Sequence, residues 1–128
     1  MVQFYRCPHC GNIAYLLNNT GAPLHCCGEP MVKLEPNTTD ASAEKHVPQV
    51  NVMGMTAHVY VSTAPHPMTD EHYIDWIVLE TDQGIQIKYL DGKLDPEAVF
   101  VIMPGELVVK AYAYCNLHGL WAEADPEE

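Results

Sequence analysis

Cys7-Pro8-His9-Cys10, followed further along by the adjacent pair Cys26-Cys27, decides how the first part of this chain folds. Four thiolates from two short segments form the donor set of a closed tetrahedral metal site. A redox Cys-x-x-Cys motif would require a strand-helix-strand context, which is absent here, and would leave the second pair unexplained. The pattern therefore predicts a tetrathiolate site, and such a site accepts iron or zinc alike.

The segment around these cysteines, residues 3 to 34, has too few apolar side chains to form a core. Short apolar runs such as Ile13 to Leu17 alternate with turn residues, which predicts a small β-rich knuckle. A fold of under about 40 residues usually requires a metal or disulfides, so bound metal is expected to supply much of its folding free energy. The polar connector from Glu35 to Ala43 predicts a boundary between a domain at 1–36 and a second at 37–128.

The second domain consists of short runs with strand-like patterning separated by Gly, Pro and Asp, which predicts a β-sandwich and an all-β fold class. The predicted strands are Val50 to Met55, Thr56 to Ser62, His72 to Thr81, Ile85 to Leu90, Ala98 to Met103 and Glu106 to Cys115. Asp82-Gln83-Gly84 and Asp91-Gly92 are predicted turns. Asp40 to Lys45 has room for one helical turn.

Side-chain alternation orients the last predicted strand. Leu107, Val109, Ala111 and Ala113 fall on one face with Cys115, so we expect that sulfur at the rim of the core. The same counting places His58 on the outward face of its strand, where it is not expected to bind metal.

Cys115 has candidate partners in His46, His66, His72 and His118. The first two adjoin prolines that fix a loop, the third is expected to open a strand, and the last lies three residues beyond the cysteine. A shell of imidazoles and one thiolate is typical of redox metals. From spacing alone, scattered structural histidines remain an equal alternative. His9 and His25 flank an already complete tetrathiolate site and are expected at the surface.

Composition excludes several classes of function. The formal net charge of -11 argues against nucleic acid as a partner, and an anionic substrate would need a local positive charge such as Lys45, beside His46. The longest apolar run, Ala98 to Met103, is far shorter than a membrane span. No apolar leader precedes Cys7, so reduced thiolates in the cytoplasm are expected.

Collinear segments along nearly the whole chain resemble desulfoferrodoxin, the two-iron class of superoxide reductase. The N-terminal run from Phe4 to Asn12 and Cys26-Cys27-Gly28 are similar to its desulforedoxin-type iron site. The other matching segments are Glu35 to Asp40, Glu44 to Pro48, His66-Pro67-Met68, His72-Tyr73-Ile74 and Tyr114 to Gly119.

The resemblance implies an immunoglobulin-like β-sandwich bearing a square-pyramidal iron. Its equatorial ligands would be His46, His66, His72 and His118, with Cys115 axial. A second iron would be held by Cys7, Cys10, Cys26 and Cys27, where zinc is possible in a recombinant sample. Superoxide would be reduced by one electron to hydrogen peroxide without release of oxygen, while Glu44 fills the sixth position in the ferric state and Lys45 attracts the anion.

The resemblance also implies an electron donor such as rubredoxin and a homodimer. Two other functions stay open on the sequence. A rubredoxin-like electron carrier would bind only one metal, and a structural zinc protein would lack the visible absorption of a thiolate-ligated ferric ion. A superoxide dismutase differs again, because it releases oxygen.

Overall fold

A computed structural model describes residues 2–38, 43–61, 66–91 and 95–123. The chain forms two compact units, Met1–Glu35 and Pro36–Glu128. No helix in the described ranges is long and apolar enough to cross a membrane.

The first unit contains five very short strands. They are β1 (Phe4–Arg6), β2 (Ile13–Tyr15), β3 (His25–Cys26), β4 (Glu29–Pro30) and β5 (Val32–Lys33). β1 lies between β2 and β5, and β3 pairs with β4 as a separate hairpin. Among the described side chains of this unit only Val2, Phe4 and Cys7 are buried apolar groups. The sparse core expected from the sequence is therefore confirmed.

The second unit is a sandwich of two antiparallel sheets. Its elements are a helical turn α1 (Ala43–His46) and the strands β6 (Pro48–Met53), β7 (Thr56–Val61), β8 (Ile74–Thr81), β9 (Gly84–Tyr89), β10 (Glu97–Val101), β11 (Val108–Cys115) and β12 (Gly119–Ala122). One sheet has the order β10-β7-β6 and the other β12-β11-β8-β9. This arrangement of three and four strands agrees with the expected immunoglobulin-like sandwich.

The core of the second unit lies between these two sheets. Alternate residues of β7 and β10, among them Val59 and Phe100, meet Leu79 of β8 and Ala113 of β11. The opposite face of the larger sheet is covered by its own aromatic side chains. Trp76 and Tyr114 stack there as a cross-strand pair, with ring centroids 5.3 Å apart. β8 is consequently buried on both faces.

The predicted orientation of β11 is correct at its C-terminal end and wrong at its start. Ala111, Ala113 and Cys115 point into the core, but Val109 is 53% exposed and Leu107, which precedes the strand, is 66% exposed. The register against β8 shifts between Val108 and Lys110, so one extra residue reverses the alternation. Val108 packs against the core in their place.

Other strand boundaries differ in smaller ways. His72 does not open a strand, because β8 begins at Ile74. β12 was absent from the predicted set. The turn at Asp82 and Gln83 is confirmed as the loop of the β8–β9 hairpin, in which Thr81 pairs with Gly84. The predicted turn at Asp91-Gly92 cannot be compared, since Gly92 lies outside the described residues.

Candidate metal centres

Four cysteine sulfurs of the first unit converge at one point. Cys7 and Cys10 lie in the turn that follows β1, while Cys26 ends β3 and Cys27 begins the turn after it. All four sulfurs lie within 4.8 Å of one another, with Cys10 and Cys26 3.6 Å apart. The cysteines are free of disulfides, so the predicted tetrathiolate site forms as a cluster of thiols.

Local backbone geometry explains how each pair of cysteines turns inward. The N–H of Cys7 donates to the carbonyl of Asn12 at 2.8 Å, and the N–H of Gly11 donates to the carbonyl of Cys7 at 3.1 Å. The other pair needs a sharper bend, because its ligands are adjacent. Cys27 has a φ of 54°, in the left-handed region that non-glycine residues rarely adopt. Cys27 is thus the residue at which the adjacent ligands strain the backbone.

In this cluster the surroundings favour ionisation of the Cys7 thiol and oppose ionisation of the Cys27 thiol. The N–H of Cys10 points at the sulfur of Cys7 and lowers the pKa of Cys7 to about 6. Hydrogen bonding with the sulfurs of Cys10 and Cys7 raises the pKa of Cys27 to about 12. Four thiolates can therefore coexist only with a cation among them, which is the chemistry of a metal-binding site.

Both histidines beside this cluster lie at the surface, as expected. His9 forms an exposed ion pair with Glu29, with Nε2 and Oε2 3.0 Å apart, and His25 is exposed. Neither is needed, because the four sulfurs already make a complete tetrahedral set.

A second group of donors forms in the sandwich from distant parts of the chain. His46 ends α1, His66 and His72 precede β8, and Cys115 ends β11. Their ligand atoms all lie within 4.8 Å of one another. His118, in the turn between β11 and β12, completes the group. Its Nδ1 is 3.0 Å from Nε2 of His46 and 3.8 Å from the sulfur of Cys115.

Two buried nitrogens of this cluster test whether a metal fits. Nε2 of His66 and Nε2 of His72 are shielded from solvent and have no hydrogen-bond partner within the described residues. An unpaired buried polar atom is costly and uncommon. Nδ1 of His66 donates to the carbonyl of Pro67 at 2.7 Å, which leaves the Nε2 lone pair free. Residues with this arrangement fit a metal ion.

Burial also keeps these donors in the protonation state that a metal requires. Burial lowers the pKa of His66 to about 4, and the same effect lowers the pKa of His72, with further contributions from the charges of His118 and Lys45. These two imidazoles are therefore neutral near pH 7, the state in which they can bind a metal. Burial raises the pKa of the Cys115 thiol, opposed by the N–H groups of Leu117 and His118. A metal cation bound to this sulfur would instead lower the pKa of the thiol.

Trp121 supports this cluster and was not identified from the sequence. Its indole stacks on His46, and its Nε1 donates to the carbonyl of His118 at 3.1 Å. The apolar run Gly119-Leu120-Trp121-Ala122 after the last ligand could have indicated a strand that returns along the site. Lys45 is exposed beside the cluster, whereas the side chain of Glu44 lies outside the described residues.

His58 lies outside both groups. Its ring is partly exposed on β7 and pairs with Glu97 at 3.4 Å, so its predicted outward orientation is confirmed.

The presence of two separate donor groups disfavours the single-metal electron carrier, because that function required only the first group.

Comparison with known proteins agrees with both donor groups. The family model described as desulfoferrodoxin matches residues 38–124, and the model of its N-terminal domain matches residues 1–34. A desulfoferrodoxin homolog from Archaeoglobus fulgidus is 41% identical over 121 residues, which cover 94% of this chain and 95% of that protein. A desulfoferrodoxin from Nitratidesulfovibrio vulgaris is 42% identical over 123 residues, covering 95% and 96%.

Among solved structures, the crystal structure of the superoxide reductase from Treponema pallidum matches with a TM-score of 0.81 and 35% sequence identity. The match covers 97% of this chain and 99% of that one. The two family-model ranges together span both cysteine pairs and every residue of the histidine–cysteine cluster. The chain belongs to the desulfoferrodoxin family.

Proposed function

We propose that this protein is a superoxide reductase with two iron centres per chain. It catalyses the uptake of one electron and two protons by superoxide, which yields hydrogen peroxide and no oxygen. Cys7, Cys10, Cys26 and Cys27 hold the first iron. His46, His66, His72, His118 and Cys115 hold the second. The tetrathiolate domain comprises residues 1–36 and the superoxide reductase domain residues 37–128.

One observation carries this assignment. Four imidazoles and one thiolate from separate segments meet in a buried cluster, with two unpaired ring nitrogens among them. When bound there, ferrous iron supplies the single electron that the reaction consumes. The donors contribute only one negative charge, so the cluster with a divalent ion attracts a small anion. The tetrathiolate set contributes four negative charges, so with a divalent ion it repels an anion. This restricts the first site to electron transfer or a structural role.

The residues around the second cluster divide the remaining tasks. Nδ1–H of His66 is held by the carbonyl of Pro67, which fixes the ring orientation. The N–H groups of Leu117 and His118 stabilise negative charge on the Cys115 sulfur. The exposed ammonium of Lys45 attracts superoxide to the site, and Glu44 would be a further ligand for the oxidised iron.

The proposal includes an electron donor such as rubredoxin and a homodimer. Because the reaction consumes electrons, a reduced partner must restore the protein after each turnover. Exposed apolar side chains on the smaller sheet, among them Val99 and Val101 of β10, support self-association. The free thiols fit a reducing compartment, and we place the protein in the cytoplasm. Sedimentation equilibrium would test the dimer, which a purely monomeric species would contradict.

Rapid mixing of the reduced protein with superoxide tests the activity. We expect one peroxide per electron delivered and no oxygen release beyond spontaneous dismutation. Cys115→Ser should abolish this reaction, whereas Cys10→Ser, the matched change in the other cluster, should retain it. Oxygen evolution catalysed by the protein, or full activity in Cys115→Ser, would contradict the proposal.

A further inference from the structure

We propose that Asn116 is a positioning residue that fixes His72 relative to Cys115 and His118. It lies between the cysteine and the last histidine, in the turn that joins β11 to β12. Its side chain is partly buried and reaches across to the segment that carries His72. No role had been assigned to it from the sequence.

Three hydrogen bonds join Asn116 to the residues on both sides of His72. Oδ1 accepts from the N–H of Tyr73 at 2.9 Å, and Nδ2 donates to the carbonyl of Glu71 at 2.9 Å. The N–H of Asn116 also donates to the carbonyl of Tyr73 at 3.2 Å. One residue therefore holds the backbone immediately before and after a proposed ligand.

His72 needs this support because it precedes β8 and has no strand partner. On the N-terminal side of His72, local hydrogen bonds to Thr69 close the segment into a turn. The N–H of His72 donates to Oγ1 of Thr69 at 3.1 Å, and the N–H of Thr69 donates to the carbonyl of His72 at 2.9 Å. Those bonds shape the turn but do not tie it to the rest of the cluster. Asn116 does so across 43 residues of sequence.

An asparagine is required because its amide presents an acceptor and a donor from one planar group. Aspartate could still accept from Tyr73, but its second oxygen would face the Glu71 carbonyl without a proton to share. Alanine would make neither side-chain bond. A residue that orients a metal ligand is worth about 10- to 100-fold in metal affinity or activity, so the effect should be measurable.

The inference rests on the proposed ligand set and is independent of which substrate is reduced. Its test is therefore metal binding and not turnover. We would compare Asn116→Asp and Asn116→Ala with Asn51→Ala, which removes an exposed asparagine of β6. Iron-loaded samples would be dialysed against graded chelator, with metal content and the visible spectrum followed. The tetrathiolate iron serves as an internal reference in each sample.

We expect both Asn116 variants to lose one equivalent of iron at a chelator concentration about 10- to 100-fold lower than the parent requires. The visible band of the second centre should also shift. The tetrathiolate band should not change, and Asn51→Ala should match the parent. Unchanged retention and spectrum in both variants would overturn the inference. The inference would also be overturned if the metal-free variants lost enough stability to account for the whole loss of metal affinity. That result would indicate a role in folding only. If Asn116→Ala fails to fold, Asn116→Asp, which keeps one side-chain bond, decides the matter.

Discussion

The indole of Trp121 lies against the imidazole of His46, with ring centroids 4.8 Å apart and planes 25° from parallel. The same indole donates to the carbonyl of His118. One buried side chain thus contacts two proposed ligands that are distant in sequence. Trp121→Phe should keep the stacking and lose the hydrogen bond, which shifts the visible band of the second centre with little loss of stability.

Trp121→Ala should cost about 3 to 5 kcal/mol in the free energy of unfolding, because it leaves a cavity. Far-UV circular dichroism in denaturant would measure this loss of stability.

For the spectral shift expected in Trp121→Phe, the matched control is Trp76→Phe, because the ring of Trp76 stacks on Tyr114. An equal spectral shift in Trp76→Phe would show that the effect is not specific to the ligands.

Lys45 is expected to accelerate capture of the anion. A unit charge near contact distance contributes about 1 kcal/mol in water, so Lys45→Met should slow the second-order reaction with superoxide about fivefold and flatten its dependence on ionic strength. Pulse radiolysis over a range of salt would measure both. Lys45→Arg should retain the rate. Lys88→Met removes an equal charge from β9, and an equal slowing there would refute a local role for Lys45.

Removal of the tetrathiolate metal should unfold the first unit alone. Its three buried apolar residues cannot offset the lost metal–sulfur bonds, whereas the sandwich has a core of its own. Both tryptophans of the chain belong to the second unit, so their fluorescence should stay native in Cys10→Ser while proteases cut within residues 1–35. Protection of that segment after metal loss would contradict this expectation.

Asn12 should tune the first centre. Its Nδ2 lies 3.9 Å from the sulfur of Cys26 and donates toward it. Hydrogen bonds to thiolate ligands favour the reduced, more negative state of an iron–sulfur site, so Asn12→Ala should lower the reduction potential of the tetrathiolate iron. Redox titration of its visible band would detect the change. Asn18→Ala, an exposed asparagine of the same unit, should leave the potential unchanged.

Glu123 should make the sandwich less stable as the pH rises. Burial raises the pKa of its carboxyl, which accepts from the N–H of Ala111 at 3.0 Å. The unfolded chain releases this proton near the ordinary pKa of 4.5, which is below the raised pKa of the folded protein. Stability is therefore lost as the pH rises through the folded pKa. Glu123→Gln keeps an acceptor and should gain stability over the parent as the pH rises above 4.5, measured by tryptophan fluorescence in denaturant. A stability difference between Glu123→Gln and the parent that does not change with pH would contradict this prediction.

The sequence predicted those features that depend on residue type and local spacing. The two cysteine pairs indicated the tetrathiolate site because four thiolates from two short segments form the donor set of a closed tetrahedral site. The alternation in β7 placed His58 outward correctly. The four histidines were candidate ligands by residue type and context, but their spacing carries no periodicity, and the resemblance was needed to decide against scattered structural histidines.

Features that depend on contacts between strands could not be predicted. The extra residue near Val109 changes which side chains of β11 face inward, and nothing in that run distinguishes Val108 from its neighbours. β12 is only four residues long, and its place beside β11 follows from the hairpin after Cys115. Trp121 and Asn116 act through backbone groups of other segments, which a linear pattern does not reveal.

The position of each ligand along the chain determines when its centre can be assembled during synthesis on a ribosome. The last thiol of the first cluster is residue 27, so that knuckle can bind metal before the ligands of the second cluster have emerged. The second cluster takes ligands from residue 46 to residue 118, and Trp121 lies later still. Because domains fold from the N-terminus as they emerge, a nascent chain can acquire its tetrathiolate metal first. The second centre can form only after residue 118 has emerged, when the sandwich strands β6 to β11 have already been translated.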